Sequence, residues 1–99
     1  MTPSRSRLLI AYDIVDDPRR VRLSKVLESY GDRVQYSVFL IDLTAAQQIR
    51  LRKKVSDVID PRVDSVLFCV VGPVGGTEKD RLTYLGCRRR ITDGTSFIL

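Results

Sequence analysis

The chain has 99 residues and a formal net charge of +5, which reads as one domain on a single small core with a preference for anionic partners. Hydrophobic residues make up 43% and charged residues 29%; this excludes a disordered chain, and no stretch approaches the ~20 apolar residues of a membrane-spanning helix. Histidine is absent, which removes imidazole bases, the usual zinc sites and histidine-dependent triads.

Residues 8 to 14 predict a strand in which Leu8, Leu9, Ile10, Ala11 and Tyr12 are apolar on both faces, running into Asp13. Asp17 followed by Pro18 predicts a helix start, an N-cap with proline at the first helical position, and Asp16 and Asp17 both read as capping residues favoured by the dipole. Leu23, Val26, Leu27 and Tyr30 follow at helical spacing, and Gly31 closes the helix. RVQYSVFLIDL, residues 33 to 43, is extended but changes parity: Gln35 and Ser37 are polar on one count, Asp42 on the other. One kinked strand and two short strands both fit that slip. Thr44 and Gln47 predict a capping box, and Gln48, Leu51, Val55, Val58 and Ile59 trace a second helical stripe that Asp60-Pro61 stops. SVLFCVV, residues 65 to 71, is another strand apolar on both faces, and VGPVGG, residues 71 to 76, is a turn.

This order predicts an α+β domain spanning residues 1–99, a ferredoxin-like βαββαβ sandwich with its core at about residues 7–72. Two helices cover only one face of a four-stranded sheet, yet the first and last strands are apolar on both. The cheapest cover for the second face is another copy of the same sheet, so a sheet-to-sheet homodimer is expected. Residues 78–99 are expected to reinforce that dimer, with RLTYLG as a further strand and Arg88, Arg89 and Arg90 as a basic run. Cys69 and Cys87 lack disulfide or metal spacing, and no signal-peptide pattern is evident; a cytoplasmic protein with reduced thiols, Cys69 in the core, is expected.

Asp13 raises the question of function, because a buried strand delivers a carboxylate beside a cluster of arginines. The end of a strand and the start of the next helix share one edge of the sheet, where layered α/β proteins place their sites. A single carboxylate is a weak ligand for a hard divalent ion, so a metal site there would need further oxygen ligands, from another carboxylate, water or phosphate. The competing reading is that Asp13 pairs with Arg20 or Arg22, or caps a turn, and the residues alone favour it. Thirteen arginines against four lysines suit phosphate recognition, since a planar guanidinium holds two phosphate oxygens. Arg19 and Arg20 at a helix start oppose the dipole, which points to an anionic partner or to pairing with Asp16. Arg22 and Lys25 lie on one flank of the first helix; Arg50, Arg52, Lys53 and Lys54 crowd the second.

YDIVDDPRR, then RLSKVLESYG, then DRVQYSVFLIDL together resemble the CRISPR-associated Cas-two (Cas2) family, without a gap from Leu9 to about Leu43. The resemblance implies a ferredoxin-like homodimer whose sheets face each other, with a C-terminal strand crossing to the partner's sheet. It implies that Asp13 of both protomers holds magnesium or manganese, that Tyr12, Ser37 and Phe39 are site residues, and that Arg20, Arg22 and Arg33 handle phosphate. Arg19 joins them as a nucleic-acid-binding residue on its position. On residues alone, Ser37 has no base to make it a nucleophile and reads as a hydrogen-bonding group. Phe39 reads as a base-stacking ring or, more commonly, a core or dimer contact. Gly72, Gly75 and Gly76 lack the Gly-Lys-Ser/Thr of a phosphate loop.

Two functions follow from the resemblance. One is a magnesium-dependent endonuclease cleaving RNA or DNA during spacer acquisition in antiviral defence. The other is a non-catalytic scaffold that bridges DNA in the spacer-integration complex with the CRISPR integrase. A toxin-type ribonuclease of similar fold is a more distant third.

Overall fold

Alternation along β1 (Ser6–Asp13) decides the architecture. Leu8, Ile10 and Tyr12 are buried, Arg7, Leu9 and Ala11 are half-buried, and Asp13 is exposed, so the strand's two faces meet different surroundings. A computed structural model of the chain describes residues 3–75, together with Thr83, Leu85 and Gly86. The expected C-terminal tail at 78–99 and its swapped strand lie outside the described residues, apart from those three positions.

The remaining elements are α1 (Asp17–Glu28), β2 (Asp32–Gln35), β3 (Val38–Leu43), α2 (Ala45–Val58) and β4 (Ser65–Pro73). The sheet runs β2-β3-β1-β4, and β1 pairs antiparallel with both neighbours. This is the ferredoxin-like α+β layout. The parity slip in residues 33 to 43 is resolved as two strands joined by a tight turn, with a register shift between Arg33 and Gln35.

Both helices lie on the same side. Leu23 and Leu27 of α1 and Leu51 and Val55 of α2 form one core with Leu8, Ile10, Tyr12, Phe39, Ile41 and Leu43. Phe39 and Leu8 are among the largest side chains removed from water completely, each worth about 1.5–3 kcal/mol of transfer free energy. The predicted capping box is formed: Thr44 Oγ1 accepts from Gln47 N at 3.2 Å, and Thr44 N donates to Gln47 Oε1 at 2.8 Å.

Three local expectations are corrected. The N-cap of α1 is Asp16, whose Oδ2 accepts from Arg19 N at 3.0 Å, and Asp17-Pro18 form the first turn. Gly31 is required for packing: a Cβ there would lie 2.6 Å from Leu40 O and 2.7 Å from Ile41 Cγ1. Cys69 is exposed, because it pairs with Leu9 on the side away from the helices.

That side carries Leu9 and Ala11 of β1, Val38 and Leu40 of β3, and Leu67 of β4, which is 58% exposed. No described residue covers it. Exposed Asp32 and Gln35 of β2 edge it beside Leu40 and Val38, and further polar groups stand at its two ends. Arg7 and Asp42 form a two-pronged cross-strand ion pair, Nε–Oδ1 2.7 Å and Nη2–Oδ2 2.9 Å, which holds the Asp42 carboxyl below its usual range. Asp13 stands at the other end. Among the described residues no helix is long and apolar enough to cross a membrane.

Candidate active site at the end of the central strand

Asp13 ends β1 with its side chain on the open face, and the turn between β2 and β3 comes up beside it. Tyr12 N donates to Ser37 O at 3.1 Å, which ties that turn to the strand. The result is a cleft of about 430 Å³ lined by Tyr12, Asp13, Ile14, Arg20, Tyr36 and Ser37. The structure thus brings together four of the residues read from the sequence: Tyr12, Asp13, Arg20 and Ser37.

Asp13 is exposed, and among the described residues no ion pair reaches its carboxylate. The expected pairing with Arg20 or Arg22 is therefore not formed. Arg20 instead bridges Asp17, one helical turn back, and the carbonyl of Ile14, which its Nη2 reaches at 3.1 Å. These contacts fold the guanidinium over the loop that follows Asp13. Proximity to Asp17 raises the affinity of Arg20 for its proton, so it stays a fixed positive charge in the cleft. Burial pushes the Tyr12 phenol above its ordinary pKa, so its hydroxyl remains protonated at neutral pH.

Three expected site residues stand apart. Phe39 is fully buried, its ring 6.3 Å from that of Tyr12; it has no free face for a base and supports Tyr12 from below. Arg33 lies over the Phe39 ring at 5.3 Å and reaches Glu28 at 3.1 Å, with its buried Nε unpaired among the described residues. It does not line the cleft. Arg22 is exposed on α1, also outside the cleft.

Arg19 is corrected most plainly. Its guanidinium closes on Asp64, Nε–Oδ2 2.7 Å and Nη2–Oδ1 3.2 Å, and the Asp64 side chain is fully buried. Asp64 also accepts from Val15 N at 3.2 Å and Asp60 N at 2.8 Å. One carboxylate thereby clasps the loop after Asp13, the start of α1 and the α2–β4 connection. The Arg19 hydrogen bond is the chief cause of an Asp64 pKa lowered to about 2. Arg19 is thus spent on holding the frame of the site. The sequence reading missed Asp64, which sits in an unremarkable Pro-Arg-Val-Asp loop, and Tyr36, whose place between the polar Gln35 and Ser37 was the available signal.

Among the described residues no group of three or more acidic or cysteine side chains converges. Among the described residues that line the cleft, Asp13 is the one carboxylate available to a divalent ion. That donor fits magnesium or manganese only if a second carboxylate arrives from another copy and water or phosphate oxygens complete the sphere.

The fold and cleft together define a small ferredoxin-like protein with a carboxylate that no described residue pairs, a hydroxyl and an arginine at one end of its central strand. Residues 6–74 match the family model described as CRISPR associated protein Cas2, and the chain belongs to that family. It is 50% identical over 91 residues to the CRISPR-associated endoribonuclease Cas2 3 of Chloroflexus aurantiacus, covering 92% of this chain and 95% of that protein. It is 37% identical over 82 residues to the CRISPR-associated endoribonuclease Cas2 of Thermus thermophilus, covering 83% and 87%. The crystal structure of Streptococcus pyogenes Cas2 at pH 6.5 superposes with a TM-score of 0.71 at 28% identity, covering 81% of this chain and 99% of that one.

Proposed function

We propose that this CRISPR-associated protein is a magnesium- or manganese-dependent endonuclease that works as a homodimer in spacer acquisition. The observation that carries the reading is Asp13: an exposed carboxylate with no ion pair among the described residues, on the rim of the uncovered apolar face. A second copy packed on that face brings its own Asp13 toward the first. The two carboxylates would hold the ion, which supplies a Lewis acid and an activated water. Arg20 neutralises a phosphate oxygen from its fixed position. The Ser37 and Tyr12 hydroxyls, both neutral donors, orient the phosphodiester. The relatives' names support RNA as one substrate of this chain.

A second reading rests on a different observation. Arg22, Lys25, Arg50, Arg52, Lys53 and Lys54 are exposed on the helical layer, outside the cleft. A duplex DNA bridged by this surface, with an integrase partner, needs no catalysis at Asp13.

Asp13→Asn separates the two readings. Asparagine keeps the shape and removes the charge twice per dimer. Metal-dependent cleavage of labelled RNA or DNA by purified protein is expected to fall on the order of 10²-fold or more. Duplex binding and the dimer are expected to persist. Cleavage equal to the parent's defeats the nuclease reading, and loss of the fold makes Asp13 structural.

A further inference from the structure

Tyr36 is the one cleft residue with no part in the chemistry above. It sits in the tight turn between β2 and β3, the residue is 71% exposed, and it shares the cleft with Asp13, Arg20 and Ser37. Among the described residues no ring or cation stacks on it. Tyr12, the other aromatic of the cleft, is buried and leans on Phe39. The root of Tyr36 is nevertheless rigid. Its neighbour Ser37 is tied to Tyr12 by the 3.1 Å backbone hydrogen bond, and Gln35 pairs with Val38 across the turn. Arg20 and Tyr36 are close enough to interact electrostatically. An apolar ring face is thus held in water, at low entropic cost to a ligand, beside a guanidinium suited to phosphate.

A nucleotide presents those two chemistries together, a flat base and a charged phosphate. Given the proposed reading that phosphodiesters enter this cleft, we infer that Tyr36 is the stacking platform for one unpaired base of the strand whose phosphate lies against Arg20. A duplex offers no free base face to such a ring, because its neighbours cover both sides; an unpaired RNA or DNA strand offers one at every base. Tyr36 therefore sets a preference for single strands by stacking strength, without hydrogen-bonding to base edges.

The test uses the full chain, Tyr36→Ala and Tyr36→Phe, with a chelator present so that no strand is cut. Fluorescence anisotropy at one salt concentration follows oligoadenylate, oligouridylate, their deoxy counterparts and a blunt duplex. The parent is expected to hold adenine strands more tightly than pyrimidine strands, since purines stack over more area. Tyr36→Phe keeps that difference. Tyr36→Ala loses it and binds single strands on the order of tenfold more weakly, with duplex affinity unchanged. Equal losses on RNA and DNA mean that the base alone is recognised; a loss on one of them names the strand for which the platform is built. Unchanged single-strand affinity in Tyr36→Ala, or an equal loss on duplex, overturns the inference. So does a change of oligomeric state by light scattering, which assigns the ring to an interface. A parent that binds no single strand also overturns it while leaving Asp13-dependent cleavage of duplex intact. Conversely, undiminished cleavage by Asp13→Asn defeats the nuclease reading without touching the Tyr36 contrast.

Discussion

The two faces of the sheet are built from similar residues and have opposite fates. Toward the helices, Leu8, Ile10, Phe39 and Ile41 are sealed from water, and Gly31 lets α1's exit press onto β3. Away from them, Leu9, Ala11, Val38, Leu40 and Leu67 lie beside Cys69 with nothing described above them. The covered face is apolar across its middle and makes the fold. The open face is apolar along β1, β3 and Leu67 but is edged by Asp32 and Gln35 and ends in the Arg7–Asp42 pair on one side and Asp13 on the other. In the homodimer proposed above, such a rim would frame a self-complementary interface that also presents a carboxylate.

The contrast is broken most forcefully from the covered side. Phe39→Ala removes a fully buried ring and is expected to cost about 3–5 kcal/mol of unfolding free energy, read by denaturant titration. An equal loss from Leu67→Ala would erase the difference between the faces. On the open side, Leu40→Asp is expected to raise the dimer dissociation constant on the order of 10²-fold, because the substitution acts twice per interface. Light scattering and sedimentation check it, and a variant that stays dimeric assigns the contact to another surface.

Acid sharpens the comparison at the frame of the site. The Asp64 carboxyl is held at about 2, below its ordinary 3.8, so the unfolded chain takes up its proton first. The stability it contributes is complete above about pH 4 and is lost as the pH falls toward 2. Urea midpoints followed across that window are expected to decline in the parent, and the Asp64→Asn variant, weaker at neutral pH, is expected to decline less. An identical slope in both would assign the acid response to other carboxylates. The smallest effect is expected at Asp42→Asn, about 0.5–1 kcal/mol or less by the same titration, because the Arg7 pair remains partly in water. A much larger loss would mean that the pair is desolvated inside an assembly.

Much of the frame was legible from local chemistry. Pro18 in the first turn of α1, the Thr44–Gln47 capping box and the β-rich runs each act within a few residues, and the elements formed around them. Asp13 was placed at the end of the first strand by the same local chemistry, but the residues alone favoured an ion pair for it, and only the family resemblance singled it out as a site residue. The roles of Arg19 and Phe39 were not legible, because each had two adequate fates and the choice lay in a distant partner. Asp64 is 45 positions from Arg19 along the chain, and the aromatic stack under Tyr12 joins two strands.

By itself the sequence determined the element order, the absence of imidazole chemistry, the cationic surface and a carboxylate at the end of the first strand. These follow from composition and from periodicities of two and 3.6 residues, which need no knowledge of the rest of the chain. Only the tertiary structure decided which arginine serves the cleft and which serves the frame, that Gly31 is needed for contact rather than for a turn, and that Tyr36 stands exposed beside Asp13. Hydrogen bonds and close packing are pairwise and short in range, so they are set by what the fold brings within a few ångströms.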